Sequence, residues 1–268
     1  MQKKLKHNGR SVFENDLCMG LAEWRVWYRL AMMEIKTQYR QNSLGPFWIS
    51  INTLVLITAF GLIYSQILNV ELGGHMLYVA SGLICWYFYS ALILKGCTLF
   101  LANKQMILQV NKPFSLYVFK LLASELIVFA HNLIVLVLIF CVFTKGLSFN
   151  ILFSIPAIML IAFNGFLLAF FLGVVATRYR DVASSIQGVV QPLMFLTPII
   201  WSVESLGNRP AFVNWNPFYH VVEIWRAPIL SDKLPLESWI FMMVFTFLLL
   251  ISTMVLFGKY RNRITFWL

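Results

Sequence analysis

The sequence predicts an all-α polytopic membrane protein. It has six transmembrane helices, an N-terminal amphipathic interface helix and re-entrant helices before the last span. Three observations carry this. Of 268 residues, 60% are hydrophobic and only 12% are charged, about half the charged share of a soluble domain. The mean hydropathy is +0.76. The apolar residues fall in long continuous runs, not in the short alternating segments of an outer-membrane barrel. A soluble core of this size cannot hide so many apolar side chains, and a chain this apolar does not stay disordered.

The chain reads as one domain, 1–268, with a cytoplasmic segment 1–46, a membrane region 47–258 and a tail 259–268. No signal peptide is visible: the first ten residues are basic, but no apolar run follows until residue 47. Within the first segment, residues 23–40 read as a surface helix. Trp24, Trp27, Tyr28, Ala31, Met32, Ile35 and Tyr39 share one arc of about 140°. Arg25, Arg29, Lys36 and Arg40 cluster beside it, as suits a headgroup layer or a platform for a cytoplasmic partner. Glu23 and Glu34 sit on the opposite, solvent-facing side. Gly45-Pro46 then breaks the helix.

Six stretches follow, 47–68, 76–101, 115–143, 151–177, 182–201 and 238–258, each reaching roughly the 20 residues a span needs. The third and fourth are longer, so tilt or extension past the bilayer is expected. Six spans put both termini on one side. That side holds Lys3, Lys4, Lys6, Arg10, Arg25, Arg29, Lys36, Arg40, Lys95, Lys104, Lys112, Lys120, Arg178, Arg180, Lys259, Arg261 and Arg263. The other holds Lys145, Arg209, Arg226 and Lys233. The split of seventeen to four makes both termini cytoplasmic. The net charge of +10 is then mostly topology, and no nucleic-acid partner is expected.

The loop 102–114 after the second span is a short helix-length segment ended by Pro113, with amides and lysines but no carboxylate. The fourth span carries Gly165, Ala169 and Gly173, a small-residue stripe for close packing. It exits through Arg178-Tyr179-Arg180-Asp181, which can snorkel and pair or hold a phosphate. The fifth span is polar: Ser184, Gln187 and Gln191 share a face, and Pro192 and Pro198 interrupt it. Amides at mid-membrane must meet water or another helix. Residues 202–237 mix Trp, Pro and Asn and suit a re-entrant or interfacial hairpin on the outer side.

No GxxxxGK[ST] phosphate loop, HExxH or GxSxG pattern stands out. Cys18, Cys85, Cys97 and Cys141 lack metal spacing, so neither a zinc site nor a disulfide framework is expected. His7, His75, His131 and His220 are scattered. Glu125 is the one carboxylate inside an expected span, a functional candidate by position; its role stays open.

Four segments in order carry a resemblance: Gln38-Tyr39-Arg40-Gln41-Asn42-Ser43-Leu44-Gly45-Pro46-Phe47-Trp48, Arg178-Tyr179-Arg180-Asp181-Val182, Phe195-Leu196-Thr197-Pro198-Ile199-Ile200-Trp201, and Asn216-Pro217-Phe218-Tyr219-His220 running to Arg226-Ala227-Pro228. The chain resembles ABC-2-type permease subunits of bacterial polysaccharide exporters of the O-antigen, capsule and teichoic-acid group, closest to the O-antigen branch. The resemblance implies a homodimer in the inner membrane, joined to two copies of a separate ATPase that would bind ATP and magnesium. This chain would carry no cofactor or metal and no catalytic residue. The cargo would be an undecaprenyl-diphosphate-linked glycan. Trp24, Arg25, Tyr28, Arg29, Glu34, Lys36 and Arg40, with Asn103, Lys104, Gln105 and Lys112, would contact the ATPase. Tyr64, Ser184, Gln187, Gln191, Phe195 and Trp201 would line the pathway. Arg25, Arg29, Arg40, Arg178 and Arg180 would attract the lipid diphosphate. Tyr64, Trp86, Tyr87 and Trp201 are candidates to stack on sugars. A drug or lipid exporter on the same scaffold stays open. So does a membrane acyl- or glycosyltransferase, although it would need a His/Asp/Glu cluster that the sequence does not present.

Overall fold

The computed structural model describes residues 11–38, 40, 45, 47–143, 149–203, 211–231 and 234–268. Lys3, Lys4, Lys6, Arg10, Tyr39, residues 41–44, Pro46, Lys145, Arg209 and Lys233 lie outside the described residues. Among those described, the chain is all helix and turn. The helices are α1 (Val12–Ala22), α2 (Trp24–Gln38), α3 (Phe47–Leu68), α4 (Leu72–Ala102), α5 (Lys104–Gln109), α6 (Phe114–Phe143), α7 (Ser154–Arg178), α8 (Asp181–Leu196), α9 (Ala211–Asn214), α10 (Pro217–Leu230) and α11 (Leu236–Trp267); a 3-10 turn, Phe149–Phe153, leads into α7. Gly45, between α2 and α3, has φ +54°, a left-handed turn that favours glycine.

Among the described residues, five helices are long and apolar enough to cross a membrane: α3, α4, α6, α7 with its 3-10 turn, and α11. The protein is therefore a multi-pass membrane protein. The expected fifth stretch, 182–201, differs. It forms α8, only 16 residues, about 24 Å at 1.5 Å per residue and short of the ~30 Å apolar layer. The helix stops at Leu196 because Pro198 has no N–H to continue the ladder. The Thr197 hydroxyl closes the end by donating to the Leu193 carbonyl at 2.8 Å. The residues expected as a tail, 259–268, are helical, since α11 continues to Trp267. Lys259, Arg261 and Arg263 end the apolar run but are good helix formers, so hydropathy marks the edge of the lipid-like stretch and not of the helix.

α4 is the centre. It is buried along most of its length against α3, α6, α7, α8 and α10. Small residues set the α4–α7 contact, as the stripe in the fourth span predicts. A Cβ on Gly165 would lie 2.4 Å from Leu92 Cδ1, and one on Gly96 would lie 2.7 Å from Ala169 Cα. The interior polar groups are tied helix to helix. Tyr89 Oη donates to Asn164 Oδ1 (2.6 Å) and Asn164 Nδ2 donates to Thr246 Oγ1 (2.8 Å), joining α4, α7 and α11. In lipid such groups have no water to turn to, so each bond holds two helices together.

α4 and α6 run antiparallel, with Phe100 against Phe114 (5.5 Å), Lys95 against Glu125 (2.6 Å) and Phe88 against Phe129 (5.1 Å). α3 begins partway along this pair: Ser50 Oγ donates to the His131 carbonyl at 2.8 Å, and the Phe47 ring meets His131. The α4–α6 pair thus extends about 25 Å along α6 beyond the start of α3. Around that extension pack α1 and α2. Gly96→Leu should overpack the α4–α7 seam, because the listless backbone of Ala169 cannot move aside as a side-chain tip can. The expected loss is about 1–3 kcal/mol, read as a lower unfolding temperature and reduced membrane yield; unchanged values would contradict the seam.

Candidate functional site

One end of the bundle is built around α1, which the sequence reading passed over. A Ser11–Glu14 capping box starts it. Gly20 lets it close on α6, where a Cβ would meet Ser115 Oγ at 2.2 Å. Phe13 enters an aromatic cluster at 5.4 Å from Phe170 and 6.0 Å from Phe257. One turn later Asp16, 1% exposed, accepts from the backbone N–H groups of Phe114 (3.2 Å) and Ser115 (2.8 Å). Those are orphan donors at the start of α6, where a carboxylate is also favoured by the helix dipole. Arg261 of α11 lies 3.6 Å from the same carboxylate. The first described helix and the last helix therefore meet at one end of the molecule.

α2 continues along α6. Ala31 and Ile35 are buried, and Trp27 stacks on Phe119 at 5.8 Å. Trp24 and Tyr28, expected on the apolar arc, are about half exposed, because the buried face is centred on Trp27, Ala31 and Ile35. Glu34 is exposed, as expected, and lies 3.3 Å from Lys120, while Glu23 is partly exposed and accepts from Lys112. These pairings arise because α2 packs along a helix whose start carries lysines. Asn103 is also held within the chain. Its Nδ2 donates to the Leu99 carbonyl (2.7 Å) and its Oδ1 accepts from Lys120 (3.2 Å). Arg25, Arg29, Lys36, Arg40, Lys104 and Gln105 are exposed, as is Leu108 on α5.

The second feature is α8. Ser184, Gln187, Gln191 and Phe195 are all exposed, and only Val190 is buried. A Cβ on Gly188, on the same helix, would meet nothing within 4 Å. The C-terminal end of α8 is fixed. Tyr78 Oη lies 3.1 Å from the Pro198 and Trp201 carbonyls. Arg226 donates to the Pro198 carbonyl (2.6 Å) and to Glu223 (2.7 Å), with its guanidinium 3.9 Å from the Tyr78 ring centre. Trp201 is half-buried, its Nε1 donating to the Phe195 carbonyl at 2.9 Å. Arg226, which charge counting assigns to the outer side, is buried at 3% exposure. Tyr64 is half-buried beside Phe60 at 6.2 Å, and Trp86 is buried against Phe218 at 5.3 Å.

Of the cations at the exit of α7, Arg178 lies among the rings of Tyr179 (5.0 Å), Tyr260 (5.5 Å) and Trp267 (5.4 Å). Its guanidinium is thus stacked on aromatic faces, a contact arginine suits by its planarity. Arg180 is exposed. No group of three or more His, Cys, Asp or Glu able to hold a metal occurs among the described residues.

A helical bundle with five long apolar helices, a helical block at one end and a polar, uncovered helix is a multi-pass membrane protein by architecture. Residues 25–230 match the ABC-2 type transporter family, and the chain belongs to that family. It is also similar to the O-antigen export system permease protein RfbA of Myxococcus xanthus, with 18% identity over 210 residues, covering 77% of this chain and 80% of that protein.

Asp16→Ala should leave the Phe114 and Ser115 amides without their acceptor and Arg261 without its partner. The expected cost is about 1–3 kcal/mol, with Asp16→Asn, which keeps one acceptor oxygen, falling between. Thermal unfolding of the purified protein reads this, and three equal curves would remove Asp16 from the account.

Proposed function

We propose that this chain is the permease subunit of an exporter that moves an undecaprenyl-diphosphate-linked polysaccharide, of O-antigen or capsule type, across the bacterial inner membrane. A separate ATPase binds ATP and magnesium and supplies the energy. The observation that carries the reading is the open polar face of α8. Three hydrogen-bonding side chains, Ser184, Gln187 and Gln191, are uncovered on one helix of an otherwise apolar bundle. Such a face must meet water, a polar cargo or another copy of the chain. A homodimer that closes two such faces on one another gives a lined passage, to which Tyr64, Phe195 and Trp201 contribute. The family match and the name of the Myxococcus relative support this cargo class.

In this reading α8 and the turn after it make the sixth crossing. Two contacts favour that. Asp181 follows Arg178, beside Tyr260 and Trp267 near the Asp16 end, while Pro198 is beside Tyr78 in the first turns of α4. The α9–α10 segment is then re-entrant. Phe218 meets Trp86 and Tyr89 near the middle of α4, and Arg226 returns to Tyr78. Both termini are cytoplasmic. The exposed side chains Trp24, Arg25, Tyr28, Arg29, Lys36 and Arg40 and the α5 residues Lys104 and Gln105 form the face toward the ATPase. The exposed Glu34 belongs to that face too, and Asn103 and Lys112 brace it through their contacts with Lys120 and Glu23. Arg25, Arg29, Arg40 and Arg180 attract the lipid diphosphate, with Arg178 adding charge from its aromatic cage.

Three outcomes test this. Deleting the gene in a strain that makes the glycan should strip surface polysaccharide, and complementation should restore it. Gln187→Leu with Gln191→Leu should lower export while the ATPase still co-purifies, because a glycan needs hydrogen-bonding partners and helix packing tolerates leucine; loss of assembly would make the amides structural instead. The purified chain alone should hydrolyse no ATP, with activity only when the partner is added.

A further inference from the structure

A cleft of about 330 Å³ opens between α3, α4 and α6, outside the α8 face. Its walls are mostly apolar, from Ile49, Ala91, Leu94 and Val128, and Thr53, Tyr87, Ser90, Lys95, Glu125 and Asn132 set polar groups among them. It lies where α3 begins, in the half of the bundle that carries α1 and α2. It follows the open stripe of α4, a helix buried elsewhere: Tyr87, Ala91, Leu94, Lys95 and Thr98 are the residues that stay at least partly exposed there. Its volume falls at the small end of ligand pockets.

The chemistry of the lining is mixed. Lys95 Nζ donates to Glu125 Oε1 at 2.6 Å, and the lysine side chain is half exposed while the glutamate is 3% exposed. Thr53 Oγ1 lies 2.9 Å from Asn132 Oδ1 and 3.0 Å from the Ile49 carbonyl, and its single proton serves one of the two. The Asn132 amide, with one such contact, keeps hydrogen-bonding capacity for a guest. The Tyr87 phenol takes no partner among the described residues. Ser90 makes only a 3.4 Å contact with the Tyr87 carbonyl.

This lining selects among ligands. An acyl chain would find apolar walls but would cover the half-exposed Lys95 ammonium, the Tyr87 phenol and the Ser90 hydroxyl without satisfying them, which is costly. A phosphate would meet an ammonium already neutralised at 2.6 Å and a carboxylate beside it. A metal would find one carboxylate. A neutral sugar ring fits: each hydroxyl both donates and accepts, and the site offers an ammonium, an amide, two hydroxyls and a carboxylate, with a tyrosine ring as wall. We propose that the cleft between α3, α4 and α6 is a sugar-binding subsite that holds one neutral hexose-type residue of the glycan, through Tyr87, Lys95, Glu125 and Asn132. This rests on the polysaccharide-export reading and adds a contact point on α4 and α6 to the wall of α8.

The test uses the full permease–ATPase complex in cells. Cys18, Cys85, Cys97 and Cys141 are replaced and a single cysteine is placed at Ala91 in the cleft, with Ser90→Cys as second variant and Val142→Cys, on the exposed outer surface, as control. A membrane-permeant maleimide is added with glycan synthesis on and off. With the cell's own lipid-linked glycan present, labelling at the cleft should slow about fivefold, as for a site about four-fifths occupied, and the control should not change. Equal rates in a strain whose surface glycan depends on the permease overturn the subsite and leave the export reading standing. Surface glycan that persists without the permease overturns the export reading itself. Asn132→Leu should lower export without loss of the ATPase; normal export by that variant also counts against the subsite.

Discussion

A single buried carboxylate organises one end of this protein. Asp16 caps the first amides of α6 and faces Arg261 of α11. It can do so because Gly20 lets α1 lie against Ser115 and because Phe13 anchors α1 among Phe170 and Phe257. A buried charge is costly unless paired and hydrogen-bonded. Here two amides and a guanidinium share it, so the segment before the first span, the start of α6 and the end of α11 must assemble together. The contacts of Glu23 with Lys112, Glu34 with Lys120 and Lys120 with Asn103 then extend this block to α2 and α5.

At the other end, Tyr78 and Arg226 fix the break after α8. α8 is therefore held at its C-terminal end and has an uncovered polar face along its length. In the proposed exporter these two ends have different tasks. The block receives force from the ATPase through α5 and carries it into α4 and α6. The α8 face, with the cleft at Lys95 and Glu125, meets the glycan. α4 links them, since it bears Lys95, Tyr87 and Tyr78 on one continuous helix.

Much of this was legible in sequence. The long apolar runs mark α3, α4, α6, α7 and α11, and the Gly165–Ala169–Gly173 stripe marks the α4–α7 seam. The shared face of Ser184, Gln187 and Gln191 is also a property of local spacing alone. What escaped depends on register between distant segments. Nothing local says that Asp16 reaches residues about a hundred positions away, or that Lys95 and Glu125 meet across two helices. Arg226 looked like an outer-loop cation because charge counting cannot see a Tyr78 ring above it. α1 did leave a signal, the Ser11–Glu14 capping spacing, overshadowed by the stronger amphipathic pattern that follows. α8 misled in the opposite direction: hydropathy ran on through Pro198, where the helix could not.

In the proposed exporter, α2, α5 and the start of α6 move as one rigid lever. Spin labels at Met33→Cys on α2 and Leu108→Cys on α5, both exposed, measure it in the permease–ATPase complex by pulsed electron resonance. Between nucleotide-free and ATP-trapped states the distance within a protomer should change by less than about 2 Å, within the scale of small helix shifts. A change of about a helical turn, ~5 Å, would mean that α5 moves independently of α2, contradicting the lever.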